Sequence, residues 1–282
     1  MPGRRAPITF VLTALLALPA VLAAQSKSFD RTLDLDAGAS LTLISQKGSV
    51  TLTPWDQDKI EIHARIEAPD GVSSEDGREA VEGTEIEVTG DRRALRIAPD
   101  YDKVPDERRW FGGDSRTVPP VHFEIKAPRR LDLRLDVDRT ETRLAGFEGR
   151  IAIVSDRGDI DASGLTGPIR LEVDRGDRVR FADIRGSIDI EADRSDVRVA
   201  FARVDEDSRV EIDRGEIELS VAASQGLDLR ADIERRAEFD SDFPVTMRGP
   251  IGDRFEGAVN GGGPRLTIHS DRAPVRLRKA GL

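Results

Sequence analysis

The sequence has no cysteine, one tyrosine, two tryptophans, two methionines and three histidines in 282 residues. Without cysteine there are no disulfide staples, thiol nucleophiles or thiolate metal centres, so a chain working outside the cytoplasm must be held by stacked secondary structure. The histidines, His63, His122 and His269, lie far apart and each falls in an alternating segment, so strand histidines are expected rather than a shared zinc site. A basic surplus is missing too. The formal charge is −10, which argues against general nucleic-acid binding because phosphate contacts need a basic face. Neither a nucleophile elbow nor a Ser-His-Asp order occurs. Gly261-Gly262-Gly263 leads through Pro264 into a strand rather than a helix, so no helix N-terminus is offered to a phosphate.

Only one long apolar run exists. Arg4 and Arg5 precede Ile8 to Leu22, and Val21-Leu22-Ala23 or Leu22-Ala23-Ala24 follows as a small-residue cleavage site. Residues 1–24 are therefore expected to be a secretory signal peptide, with an uncleaved anchor as the alternative because the run approaches bilayer length. Periplasmic or cell-surface location follows as an expectation, with no transmembrane segment left after cleavage.

What the chain has in abundance is charge, 34% of residues, and a repeat. Residues 131–221 return five times to an alternating run, an Asp-Arg turn and a second run. The turns are Asp138-Arg139, Asp156-Arg157, Asp174-Arg175, Asp193-Arg194 and Asp213-Arg214. One residue before each Asp stand Val137, Ser155, Val173, Ala192 and Ile212; three before stand Leu135, Ile153, Leu171, Ile190 and Val210. The columns between are mostly charged. Period-two alternation with one apolar side is a half-buried strand, and no single copy can bury that side, so the copies must stack. This predicts an all-β, single-stranded parallel β-solenoid (β-helix) with coils of 18–20 residues. The expected organisation is a leader over 1–24, an N-terminal part of the solenoid over 25–130 with an inserted loop at 99–120, the regular repeat over 131–221, and C-terminal coils with a cap over 222–282. Phe239, Phe243 and Phe255 are expected to cover the open end.

The order Gly48-Ser49-Val50-Thr51-Leu52, Trp55-Asp56, then Ile60-Glu61-Ile62-His63-Ala64 resembles the opening of the bacterial DUF4097 family of adhesin-like proteins. Ala94-Leu95-Arg96-Ile97 and Val121 to Pro128 resemble its later strands, and Leu266 to Asp271 with Val275-Arg276-Leu277 resembles its closing strand pair. The resemblance spans about residues 28–278 and implies an exported β-repeat protein without catalytic residues to carry over. The chain departs from it where Asp-Arg-Gly replaces a small-residue turn and where Pro274 replaces the closing Asp.

The stacked Asp and Arg columns suggest either calcium binding or a self-neutralised ladder. The ladder is favoured, because calcium needs several converging oxygens and the arginines already supply countercharge. Arg157-Gly158-Asp159 and Arg175-Gly176-Asp177 spell a cell-attachment tripeptide, but a turn that needs glycine explains them. No catalytic residue, metal or cofactor is expected. The expected binding residues are Tyr101, Arg108, Arg109, Trp110 and Phe111, since aromatic residues beside arginine in a long loop have the composition of a contact anchor. The expected function is a non-catalytic adhesin-like or scaffold module of the cell envelope, meeting envelope polysaccharide or another envelope protein. The alternatives are a β-helix enzyme acting on polysaccharide and an accessory partner in envelope-stress signalling.

Overall fold

A computed structural model describes residues 26–104, 118–176, 178–234, 237–248 and 253–280. The N-terminal part contains β1 (Ser26–Asp34), β2 (Ala39–Ser45), β3 (Gly48–Trp55), β4 (Lys59–Glu67), α1 (Ser74–Gly83), β5 (Glu85–Gly90), β6 (Ala94–Asp100) and β7 (Val121–Pro128). The repeat supplies β8 (Leu131–Val137), β9 (Thr140–Ala145), β10 (Ile151–Arg157), β11 (Ile160–Ser163), β12 (Ile169–Arg175), β13 (Val179–Gly186), β14 (Ile188–Ala192), β15 (Ser195–Val204), β16 (Ser208–Ile212) and β17 (Gly215–Val221). The C-terminal part adds β18 (Leu227–Ile233), β19 (Phe239–Ser241), β20 (Thr246–Arg248), β21 (Arg254–Val259), β22 (Arg265–Ser270) and β23 (Val275–Lys279).

The all-β expectation holds, but one parallel solenoid from end to end does not form. The strands make two mixed sheets. The first runs β1-β4-β7-β3-β9-β11-β13-β15-β17-β23-β19, and the second β20-β21-β18-β22-β16-β14-β12-β10-β8-β2-β6-β5. Pairing is parallel through the middle of both, whereas β1-β4-β7, β5-β6 and β18-β21-β20 are antiparallel. Alternation reads the same for either direction, so the sequence pattern could not separate them. Of the antiparallel pairs, β5-β6 and β20-β21 join consecutive strands, whereas β1 with β4, β4 with β7 and β18 with β21 run antiparallel although other strands intervene in sequence.

Each repeat gives its first strand to the second sheet and, after the Asp-Arg turn, its second strand to the first sheet. Leu171 pairs in register with Ile153 and Ile190, and Ile190 pairs with Val210. All four are at most 1% exposed, within one hydrophobic cluster fed by the inner faces of both sheets. Burying such a side chain contributes about 1.5–3 kcal/mol, which is why the apolar columns rather than the charges specify the register. β2 and β3 form a further coil below the repeat, because β2 pairs with β8 and β3 with β9.

A second corner recurs opposite the Asp-Arg turn. Gly146-Phe147, Gly164-Leu165 and Asp183-Ile184 place a left-handed residue before a buried apolar one. The glycine that follows each is equally constrained: a Cβ on Gly167 would lie 2.3 Å from the Gly149 carbonyl of the preceding coil. Among the described residues the strands are interrupted by a single helix, α1, of 10 residues. Ser73 caps it, accepting from the Asp76 N–H at 3.2 Å while its hydroxyl donates to the Asp76 carboxylate at 2.6 Å.

Candidate functional site

The Asp-Arg turns form one edge of the stack, and every arginine there from Arg157 onward reaches a carboxylate of the preceding coil, whereas Arg139 holds only Asp138 of its own turn. Arg175 lies 2.7 Å from Asp156 and 2.9 Å from Asp174; Arg194 lies 2.9 Å from Asp174 and 3.0 Å from Asp193; Arg214 lies 3.1 Å from both Asp193 and Asp213. The hydrogen bond from Arg175 above all, and that from Arg157, holds the Asp156 carboxyl at about 2. Asp213 is lowered in the same way, chiefly by Arg272 at 2.6 Å. Asp271-Arg272 is thus a sixth rung, which the sequence reading missed because the inserted strands β18, β19, β20 and β21 separate it from the fifth. With the countercharges internal, the edge is a structural ladder, and among the described residues no group of three acidic or histidine side chains converges to hold a metal. The first tripeptide sits in this ladder, with Arg157 held by Asp156 at 3.1 Å; the second includes Asp177, outside the described residues.

Of the expected loop residues, Tyr101 is 8% exposed and faces the core, its hydroxyl donating to the Pro119 carbonyl at 3.5 Å. Burial pushes its phenol well above the ordinary tyrosine range. Arg108, Arg109, Trp110 and Phe111 lie outside the described residues.

The histidines occupy outward strand positions, apart from one another in their contacts. His63 meets Asp30 at 2.6 Å, and His269 meets Asp271 at 3.1 Å. His122 lies 2.9 Å from the Ser49 hydroxyl and 3.3 Å from Glu67. Ser49 and His122 are cross-strand partners from segments 73 residues apart, a Ser-His-Glu contact chain that linear order does not reveal. Both stand on strands paired on each side, so their surrounding N–H groups belong to the ladders. A nucleophile there lacks the converging donors that stabilise an oxyanion.

The outer face of the first sheet carries a register row that runs Arg143, Asp161, Arg180, Arg198, Glu218, Arg276 and Asp240. Its signs alternate except at one step, where Arg180 stands directly beside Arg198. Beside them a recess of about 610 Å³ has a floor of Ala182, Ala200 and Ser220, with Arg178, Asp196 and Glu218 among its lining. On the second sheet a groove of about 510 Å³ runs between Glu172, Glu191 and Glu211 and the Asp row. Its acids are held by Arg170, Arg209 and the ladder, so it carries little free charge.

No protein-family model matches the chain and no curated protein matches it. Among solved structures it is similar to a candidate cell adhesion protein from Clostridium sporogenes, at 11% identity over 90% of this chain and 100% of that one, with a TM-score of 0.37. A candidate adhesin from Bacteroides fragilis matches at 12% identity over 90% and 97%, with a TM-score of 0.36. A candidate lipid-binding protein from Parabacteroides distasonis matches at 8% identity over 88% and 96%, with a TM-score of 0.29. At TM-scores this low the likeness assigns neither fold nor role to this chain.

Proposed function

We propose that the chain is a non-catalytic, exported module of the cell envelope that binds an envelope polymer on a rigid β-repeat. The supporting observation is the register row of the first sheet, in which strand pairing holds outward polar side chains at fixed intervals of about 4.8 Å. Such an array offers repeated contacts to a repeating partner. The leader-like residues 1–24 support export. A polysaccharide-cleaving reading is weaker, because the acids lining the second-sheet groove and the Asp row are already bound by arginine.

The test is to incubate the purified protein with a crude envelope polysaccharide fraction and follow two readouts, polymer retained and new chain ends released. Retention with no accumulation of ends supports a binding module. Steady release of ends makes the protein an enzyme, and an absence of retention removes the binding role.

A further inference from the structure

Within the repeat, nearly every arginine has a carboxylate within 4.0 Å; among the described residues Arg134, Arg180 and Arg198 have none. Only Arg180 and Arg198 are also neighbours in register, one coil apart on β13 and β15. Like charges directly opposite on one sheet face disfavour each other. In the Asp-Arg edge the same crowding is relieved by internal partners, but here it is not. Asp161 and Glu218 flank the pair in the row, yet neither forms an ion pair with it among the described residues. Both guanidinia are exposed beside the recess, whose floor is kept low by Ala182, Ala200 and Ser220. Arg178 at its rim is only loosely engaged, 3.9 Å from Asp159.

We infer that this recess binds an acidic polysaccharide, with Arg180 and Arg198 taking the carboxylate groups of successive or shared sugar residues. The inference rests on the binding role proposed above and names its ligand class and site. Two planar guanidinia one strand apart can each take an oxyanion bidentately. The free carboxylates of Asp196 and Glu218 on the same rim accept hydrogen bonds from sugar hydroxyls, so the site supplies both donors and acceptors. A bilayer surface fits less well: its lipid phosphates would meet Asp161, Asp196 and Glu218 together, whereas a single polymer strand sets its anionic groups only against the arginines.

The test measures binding of fluorescent oligogalacturonate to the purified protein, with neutral dextran, dextran sulfate and phosphatidylglycerol vesicles as parallel probes. We expect oligogalacturonate to bind, with affinity falling as salt rises, and neutral dextran not to bind. Arg180→Gln with Arg198→Gln should weaken binding by about tenfold or more, since charge-assisted pairs are lost. Arg180→Lys with Arg198→Lys should lose less, and Arg134→Gln should change nothing; unchanged melting temperatures establish that all variants are folded. Wild-type affinity in the double Gln variant overturns the site. Vesicle binding that depends on these arginines, without uronate binding, assigns the site to lipid phosphate, and a preference for dextran sulfate alone assigns it to sulfate; either overturns the uronate reading. If the double variant still retains envelope polymer undiminished, this site falls while the binding role stands; if wild type retains nothing, both fall.

Discussion

Arg175 holds the carboxylates of two successive coils at once, Asp156 at 2.7 Å and Asp174 at 2.9 Å. The same bridging recurs up to Arg272 on Asp213, so the edge is stitched along the stacking direction, in which neighbouring coils would otherwise repel. The side chains are 29–49% exposed along this edge, so solvent screens each pair and its individual contribution to stability is small. The apolar columns set stability, and the ladder removes a repulsion.

Acid should expose the ladder. The carboxyl of Asp156 is held at about 2 and that of Asp213 below its ordinary 3.8. A lowered folded-state value means the unfolded chain binds more protons between the two values. The contribution is therefore complete above about pH 4 and is lost as pH falls towards 2. Melting temperature measured from pH 5 to pH 2 should drop over that window, and the drop should shrink in Asp156→Asn. A flat profile, or an identical one in the variant, would show that the bridges contribute nothing.

Metal should not matter to this edge. We expect EDTA to leave the melting temperature unchanged and about 1 M salt to lower it modestly by screening exposed pairs. A clear rise on adding millimolar calcium would reassign the Asp row to an ion.

The two faces of one strand should respond differently. Ile190 is 1% exposed between Leu171 and Val210, so Ile190→Ala should cost about 2–5 kcal/mol in denaturant unfolding and Ile190→Asp more. Glu191→Gln, pointing outward, should stay within about 0.5 kcal/mol. Equal losses would mean the faces are wrongly assigned.

Backbone crowding gives a further contrast. A Cβ on Gly158 would lie 2.3 Å from the Thr140 carbonyl, whereas one on Gly38 meets nothing within 4 Å, although both have positive φ. Gly38→Ala should cost about 1–2 kcal/mol from conformation alone, and Gly158→Ala clearly more because two coils must part. Thermal unfolding that ranks them the other way would place the close approach elsewhere.

The central repeat was legible in sequence because its apolar columns, at one and three residues before each Asp, recur at nearly constant spacing and coincide with the buried strand faces. Three features were hidden for physical reasons. The pairing of β2 with β8 joins segments separated by nearly ninety residues, and alternation carries no information about which strand lies beside which. The sixth rung at Asp271 and Arg272 follows the inserted strands β18 to β21, which break the period without breaking the stack. The mixed character of the sheets comes from antiparallel strands at their ends, most of them paired across intervening segments of chain. The second corner was visible as Gly-Phe-Glu-Gly, Gly-Leu-Thr-Gly and Asp-Ile-Arg-Gly, and could have been found by aligning the coils on their second strands. The recess beside Arg180 and Arg198 could not, because an unpaired arginine is defined by register rather than by its neighbours in sequence.

All of these assignments depend on the coil-to-coil register, and the absence of cysteine allows it to be measured directly. Arg180→Cys with Arg198→Cys places two thiols on adjacent strands, about 4.8 Å apart, within the reach of a disulfide, which extends to about 7 Å between Cα atoms. Asp161→Cys with Arg198→Cys places them two strands apart, about 10 Å, and out of reach. On mild oxidation the first pair should close within one chain, seen as a faster-running band that reductant reverses, and the second should stay reduced. Closure of the second pair but not the first would contradict the register on which both the fold and the binding face rest.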